Sequence, residues 1–199
     1  MSVRAVIVAA GGANYGSLRE ACRRIGVDAT LSDDPARIRA ATHVLLPGVG
    51  AAAQAMQALR ARGLDRVFAT LSQPLLGICL GMQLLYEHSA EGDVEALGLL
   101  HGRVRRLPAA PRWPHMGWNT LALRAGGHAL LQGIDRGDWF YFVHGFAADD
   151  DDATLAAAVH GGSFAALVAR ENVHGAQFHP EKSAAAGRRL LQNFFALAC

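Results

Sequence analysis

Cys79 stands at the centre of Gly77-Ile78-Cys79-Leu80-Gly81. Glycines on either side of a thiol let a chain turn sharply from strand to helix and hold the central side chain out. A thiol at a helix N-terminus meets the positive end of the dipole and unpaired N–H groups, which favour the thiolate, the form that attacks carbonyl carbon. Most buried cysteines are inert small hydrophobes, so this pattern alone leaves packing and nucleophile open. Further along, "GAQFHPEKS" sets His179 and Glu181 two apart across Pro180. Proline keeps the chain before it extended, and residues two apart in extended chain project to one side, so Glu181 can reach His179. A carboxylate on one ring nitrogen fixes the tautomer and leaves the other nitrogen to exchange protons with a thiol. A surface pair or half of a metal site would read the same in isolation, but no His-rich or Cys-rich cluster supplies further ligands, and no metal is expected. The third stretch, "LLPGVGAAAQAM", ends a strand in Pro47-Gly48-Val49-Gly50. Its glycines permit backbone N–H groups to face a ligand before a helix begins, a candidate oxyanion hole that an ordinary β-to-α turn would also resemble.

These three stretches need a scaffold that brings them to one edge. The first half alternates in hydrophobic period: "VRAVIVAA", "VDATLS", "HVLLPG" and "PLLGI" predict strands. Helical patterns fall at 16–25, 35–41, 51–62 and 64–72, with a helix-like run after Cys79. Short apolar strands alternating with helices imply a parallel sheet covered on both faces, with ligands outside the carboxyl ends of its strands. From about residue 100 the rhythm changes to "GRVRRL", "NTLAL", "DWFYFVH", "TLAAAV", "FAALVA" and "VHGAQF", which predicts a more antiparallel addition. "LPAAPRWP" reads as a loop because of its prolines, and "AADDDDAT" as a solvated loop because clustered aspartates repel one another. A helix over 183–197 closes the chain.

The 199 residues, 51% hydrophobic and 18% charged, suit a single globular domain over 1–199 and exclude global disorder. A net charge of +2 is too small to argue for nucleic acid, and "RVRRL" reads as a solvated strand edge or a partner contact. The three cysteines, at 22, 79 and 199, have no disulfide or metal spacing, and the odd count fits a reducing compartment, hence the cytoplasm. The N-terminal apolar run is short and suits a first strand better than a signal segment. No run approaches the about 18 apolar residues of a membrane span.

Together these residues resemble the class I glutamine amidotransferases, the Cys-His-Glu glutaminases. "PGVG", "GICLGMQLL" and "FHPE" carry the general likeness. "GGANYGSL", "PHMGWN", "FYFVHG" and "HPEKSAAAGRRLLQNF" resemble the branch that serves histidine synthesis. The resemblance spans nearly the whole chain. It implies an α/β, flavodoxin-like fold with a central, mostly parallel sheet, helices on both faces and an added antiparallel portion. It also implies Cys79 as nucleophile, His179 as general base and acid, and Glu181 as its orienting partner, with the N–H groups of Val49 and Leu80 holding the oxyanion. Gly50 and Gln83 match positions that contact glutamine, as does the backbone of His144, Gly145 and Phe146. The family commonly has His-Ser-Tyr there, so two hydroxyls are missing from this chain. Asn14, Met116, Trp118 and Lys182 match the partner-facing side. The implied reaction is hydrolysis of L-glutamine's side-chain amide, with no cofactor. Its ammonia would pass to a separate (β/α)8-barrel cyclase subunit that makes imidazole glycerol phosphate and an aminoimidazole carboxamide ribotide. Two rivals are another amidotransferase or a free-standing cysteine hydrolase of γ-glutamyl compounds, and a non-enzymatic regulatory relative with a broken triad. An intact Cys79, His179 and Glu181 argues against the second.

Overall fold

The computed structural model describes residues 3–9, 11, 14–109, 112–124 and 127–198. Gly12 and Ala13 of "GGANYGSL", Ala110 and Pro111 of the proline loop, and Cys199 lie outside the described residues. The first half runs β1 (Ala5–Val8), α1 (Tyr15–Arg24), β2 (Ala29–Ser32), α2 (Pro35–Ala40), β3 (His43–Gly48), α3 (Ala52–Ala61), α4 (Leu64–Phe68), β4 (Leu75–Cys79) and α5 (Leu80–Gln83). Local chemistry sets its boundaries. The Asn14 side chain accepts from the Ser17 N–H at the start of α1, and Asp34 does the same for Ala36, with Pro35 at the first position of α2. Side chains of this kind satisfy N–H groups that a helix start leaves unpaired.

The second half runs β5 (His88–Ser89), β6 (Val94–Glu95), β7 (Arg103–Arg106), β8 (His115–Thr120), β9 (Ala122–Leu123), β10 (Trp139–His144), β11 (Phe146–Ala148), β12 (Thr154–Val159), β13 (Ser163–Arg170), β14 (Val173–Ala176) and α6 (Ala184–Phe195). Short 3-10 turns cover Ala129–Leu131 and Pro180–Lys182. One eight-stranded sheet has the order β2-β1-β3-β4-β14-β13-β12-β9. Its first five strands are parallel, and β13, β12 and β9 are antiparallel. A ribbon of β8 with β10 and a small sheet β11-β7-β5-β6 complete the architecture. This is the mostly parallel sheet with an antiparallel addition that the sequence predicts.

Alternate residues of the parallel strands feed opposite layers, as the strand period requires. Ile7, Leu45 and Leu76 join one apolar cluster with Phe140, Phe178 and Phe194. Their neighbours Val6, Val44 and Leu75 join a second with Ile38, Met56 and Phe68. Such strands, buried on both faces, read as continuous apolar runs rather than alternating ones.

Four expectations need correction. "VHGAQF" does not belong wholly to the antiparallel portion, because β14 pairs in parallel with β4, Gly175 opposite Gly77. The helix-like run after Cys79 stops at Gln83: the carbonyls of Leu84, Leu85 and Tyr86 accept from Leu97, Leu99, Leu100 and Gly98 instead of continuing a helix. "NTLAL" is split at Leu121 between the β8 ribbon and the main sheet. "AADDDDAT" opens as strand β11 rather than as loop throughout; its aspartates remain in an exposed loop, where Arg105 meets Asp149 at 2.7 Å and Arg124 pairs with Asp150. Among the described residues, no helix is long and apolar enough to cross a membrane.

Candidate active site

Strand β4 ends on Cys79 at φ 55° and ψ −114°, a backbone conformation that L residues rarely adopt and that costs about 1 to 3 kcal/mol. The turn demands glycine beside it. A Cβ on Gly81 would stand 1.7 Å from the Leu46 carbonyl oxygen, and one on Gly77 would stand 2.6 Å from the Gly81 oxygen. Only hydrogen at those two positions lets α5 descend directly onto β3 and β4. Cys79 thus opens α5 with its side chain 7% exposed. The thiol donates to the Val143 carbonyl at 3.8 Å and lies 3.9 Å from Gln177 Nε2.

The parallel pairing of β14 with β4 brings the following residues to the same sheet edge. The His179 N–H donates to the Tyr141 carbonyl at 2.9 Å, and Ser183 Oγ donates to the His179 carbonyl at 2.7 Å. The short turn Pro180–Lys182 then returns Glu181 to the ring, His179 Nδ1 to Glu181 Oε1 being 2.8 Å with both side chains nearly buried. Nδ1–H therefore donates to the carboxylate. Nε2, buried and with no hydrogen-bond partner among the described residues, is available for proton exchange with the neighbouring thiol. Burial lowers the His179 pKa, but the neighbouring Cys79 sulfur and Glu181 carboxylate outweigh it and raise the pKa well above the ordinary value. Cys22 is the opposite case: on the buried face of α1, its thiol is pushed up to about 12 by desolvation, which makes it a packing residue.

A cleft of about 380 Å³ opens on Cys79. It gathers Val49, Gly50, Leu80, Gln83, His144, Gly145, Phe146, His179 and Lys182 around the thiol, so residues far apart in sequence share one wall. Glu181 stands behind His179 and lines a small adjoining cavity with Asn14, Val49 and Lys182. Met116 and Trp118 are not in the cleft. They lie on the ribbon, 65% and 50% exposed, where Trp118 packs edge-on to Tyr141 and Lys182 Nζ sits 5.6 Å from the Tyr141 ring. Trp118, Tyr141 and Lys182 thus form a continuous patch beside the cleft.

Sequence reasoning missed four participants. Gln83 Nε2 donates to the Phe146 carbonyl at 2.7 Å and to Gln177 Oε1 at 3.0 Å, so Gln177 braces a cleft residue from below. Its signal was its place two residues before His179. Glu91 lines the cleft, accepts the Ala52 N–H at 3.1 Å and has its pKa raised by burial. Nothing in "SAEGDVEA" distinguishes it from a surface acid. Val143 and Pro114 complete the wall.

The missing hydroxyl at Gly145 has a structural counterpart. The Trp113 ring occupies the space a side chain would take: a Cβ on Gly145 would lie 2.6 Å from Trp113 Cζ2. Trp113 Nε1 donates to the Gly145 carbonyl at 2.9 Å, and the Arg106 guanidinium covers the ring at 4.4 Å. Gly145→Ser is expected to expel the ring and destabilise the fold by about 1 to 3 kcal/mol, as overpacking does. Combined with Trp113→Ala its cost should largely disappear, since contacting residues are not additive. Denaturant titrations of the two single variants and the double variant measure this, and strict additivity would show that ring and glycine are uncoupled.

Residues 7–198 match the family model described as glutamine amidotransferase class-I. The chain is 53% identical over 194 residues to the imidazole glycerol phosphate synthase subunit HisH of Xanthomonas axonopodis pv. citri, with 96% of each chain covered. It is 52% identical over 191 residues to the protein of the same name from Xylella fastidiosa strain Temecula1, with 94% of each covered. Among solved structures, PurLQS from Thermotoga maritima superposes with TM-score 0.74 at 20% identity, covering 98% of both chains. A solved glutamine amidotransferase gives TM-score 0.74 at 21% identity, covering 95% of this chain and 96% of that one. With its elbow, its buried His-Glu pair and its sheet order in place, the chain belongs to the class-I glutamine amidotransferase family.

Proposed function

We propose that the chain is the glutaminase subunit of an imidazole glycerol phosphate synthase, acting in the cytoplasm as one domain over residues 1–199. The observation that carries the chemistry is the free Nε2 of His179 beside Cys79, its other nitrogen already bound to Glu181. In this reading Cys79 Sγ passes its proton to Nε2 and attacks the side-chain amide carbon of L-glutamine. The N–H groups of Val49 and Leu80 hold the resulting oxyanion. His179 then protonates the departing nitrogen, ammonia leaves, and a thioester remains. Water, deprotonated by His179, releases glutamate and restores the thiol. Glu91 offers a half-buried carboxylate to the substrate's ammonium group, and Gly50, Gln83 and the backbone of His144, Gly145 and Phe146 enclose the rest.

The high identity to HisH subunits over nearly the full length supports a role in histidine synthesis. In that role ammonia passes to a (β/α)8-barrel cyclase subunit, giving imidazole glycerol phosphate and an aminoimidazole carboxamide ribotide. Asn14, Met116, Trp118 and Lys182 supply the docking face, since exposed Trp and Met are what interface centres favour. The test mixes the chain with the cyclase, its nucleotide substrate, unlabelled ammonium in the buffer, and glutamine carrying heavy nitrogen in its side-chain amide. The imidazole product is expected to carry the heavy nitrogen well above its share of the bulk ammonium. Label no higher than that share would reject delivery between the subunits.

A further inference from the structure

The side chains of a buried histidine pair at the cleft have no part in the reaction as written. His115 and His144 face each other across the β8–β10 ribbon as register partners, with His115 Nδ1 3.2 Å from His144 Nε2. Both side chains are buried. The direction of every hydrogen bond in this relay is fixed from its end. His144 Nδ1 is 2.8 Å from the Phe146 carbonyl, which can only accept, so Nδ1 carries the proton and Nε2 is an acceptor. His115 must then donate through Nδ1, which leaves its Nε2 to accept from Asn119 Nδ2 at 3.5 Å. The orientation of that amide is set independently, because Asn119 Nδ2 also donates to the Val159 carbonyl at 3.0 Å and Oδ1 accepts the Thr120 N–H at 2.9 Å. Phe142 and His160 stack on His115, at 4.9 and 4.1 Å between ring centroids, and fix its plane.

We infer that His115 is a positioning residue: by donating to His144 Nε2 it secures, together with the Phe146 carbonyl, the Nδ1–H tautomer of His144, and the resulting bond holds that carbonyl where it anchors Gln83 in the glutamine cleft. Two donors meet on that carbonyl, His144 Nδ1 at 2.8 Å and Gln83 Nε2 at 2.7 Å. Without the proton from His115, His144 is free to carry its hydrogen on Nε2. Nδ1 and the carbonyl would then be two acceptors face to face, and the carbonyl that holds Gln83 must move. Desolvation, aided by the neighbouring histidines, depresses the pKa of both rings, His115 to about 4 and His144 to about 3, so each carries a single proton at neutral pH and the relay has one polarity. This inference rests on the cleft being a glutaminase site.

The experiment separates hydrogen bonding from packing. His115→Phe keeps an aromatic ring between Phe142 and His160 but removes both nitrogens. His115→Asn loses the stack but places an amide N–H near the Nδ1 position. In the assembled complex, His115→Phe is expected to raise the KM for glutamine about tenfold with kcat nearly unchanged, the effect of one lost hydrogen bond on binding. His115→Asn should restore most of it. A role confined to packing would give the reverse order, and a KM unchanged in both variants would overturn the relay. Nitrogen NMR of the wild-type chain reads the tautomers without activity: His115 and His144 should both carry hydrogen on Nδ1, and hydrogen on Nε2 of His144 would refute the assignment. A wild-type complex that binds glutamine but releases no glutamate would instead overturn the glutaminase reading, and the relay's role in it, while leaving the NMR result standing.

Discussion

Cys79→Ala is expected to abolish glutamate release, by at least about a thousandfold, while leaving the fold and docking of the partner intact. Among the described residues the Cys79 thiol is the one atom placed to form the thioester, and removing a nucleophile that works with its base as a unit costs nearly all of their joint effect. Alanine keeps the Cβ that the elbow at φ 55° already tolerates, so stability should change little. A glutamine-analogue electrophile should label Cys79 alone. Cys22 is fully buried and its thiol is pushed up to about 12, so it has neither access nor thiolate. Labelling that persists in Cys79→Ala, read by mass spectrometry of the peptides, would move the nucleophile elsewhere.

The second large effect is activation by the partner. Alone, the chain should be a poor glutaminase, with activity rising about a hundredfold or more when the cyclase and its nucleotide substrate are bound. The lever is the turn after β3. Gly48 is the register partner of Cys79 at the end of β3, Val49 is 45% exposed, and Gly50 stands at φ 94° with no described atom within 4 Å of where a Cβ would be. The Gly48–Val49 peptide, with glycines at 48 and 50 on either side of an exposed residue, therefore has room to rotate, turning the Val49 N–H toward or away from the oxyanion. One missing donor costs about 3 to 4 kcal/mol, or a hundredfold to a thousandfold in rate. For the partner to restore it, the active arrangement must bind the partner more tightly by a comparable amount, because only differential affinity shifts a population. Glutamate release is measured for the chain alone, with cyclase, and with cyclase plus nucleotide. Full activity in the isolated chain would refute the gate and favour a free-standing hydrolase.

The alternation of apolar strands with helices, and the shift to successive strands after residue 100, were legible because each is a local property: period, turn residues and caps lie within a few positions of one another. The same locality made the elbow at Cys79 and the His179–Glu181 pair readable, since glycines flank the one and a single proline separates the other. Register and long-range pairing lie beyond such patterns. That "VHGAQF" pairs with β4 in parallel as well as with β13 in antiparallel is a matter of neighbours distant in sequence, yet the parallel pairing is what carries His179 to the edge where Cys79 stands. Glu91 looks like any surface acid until folding lines the cleft with it. Gly145 reads as a lost hydroxyl until Trp113, thirty-two positions away in sequence, is seen filling its place. His115 and His144 become a directed pair only when the ribbon sets them opposite each other and a single carbonyl dictates where each proton sits. Residue types and short spacings determined which chemistry this chain can perform. The tertiary structure alone decided which distant groups surround it, because burial and hydrogen-bond polarity are properties of neighbours in space.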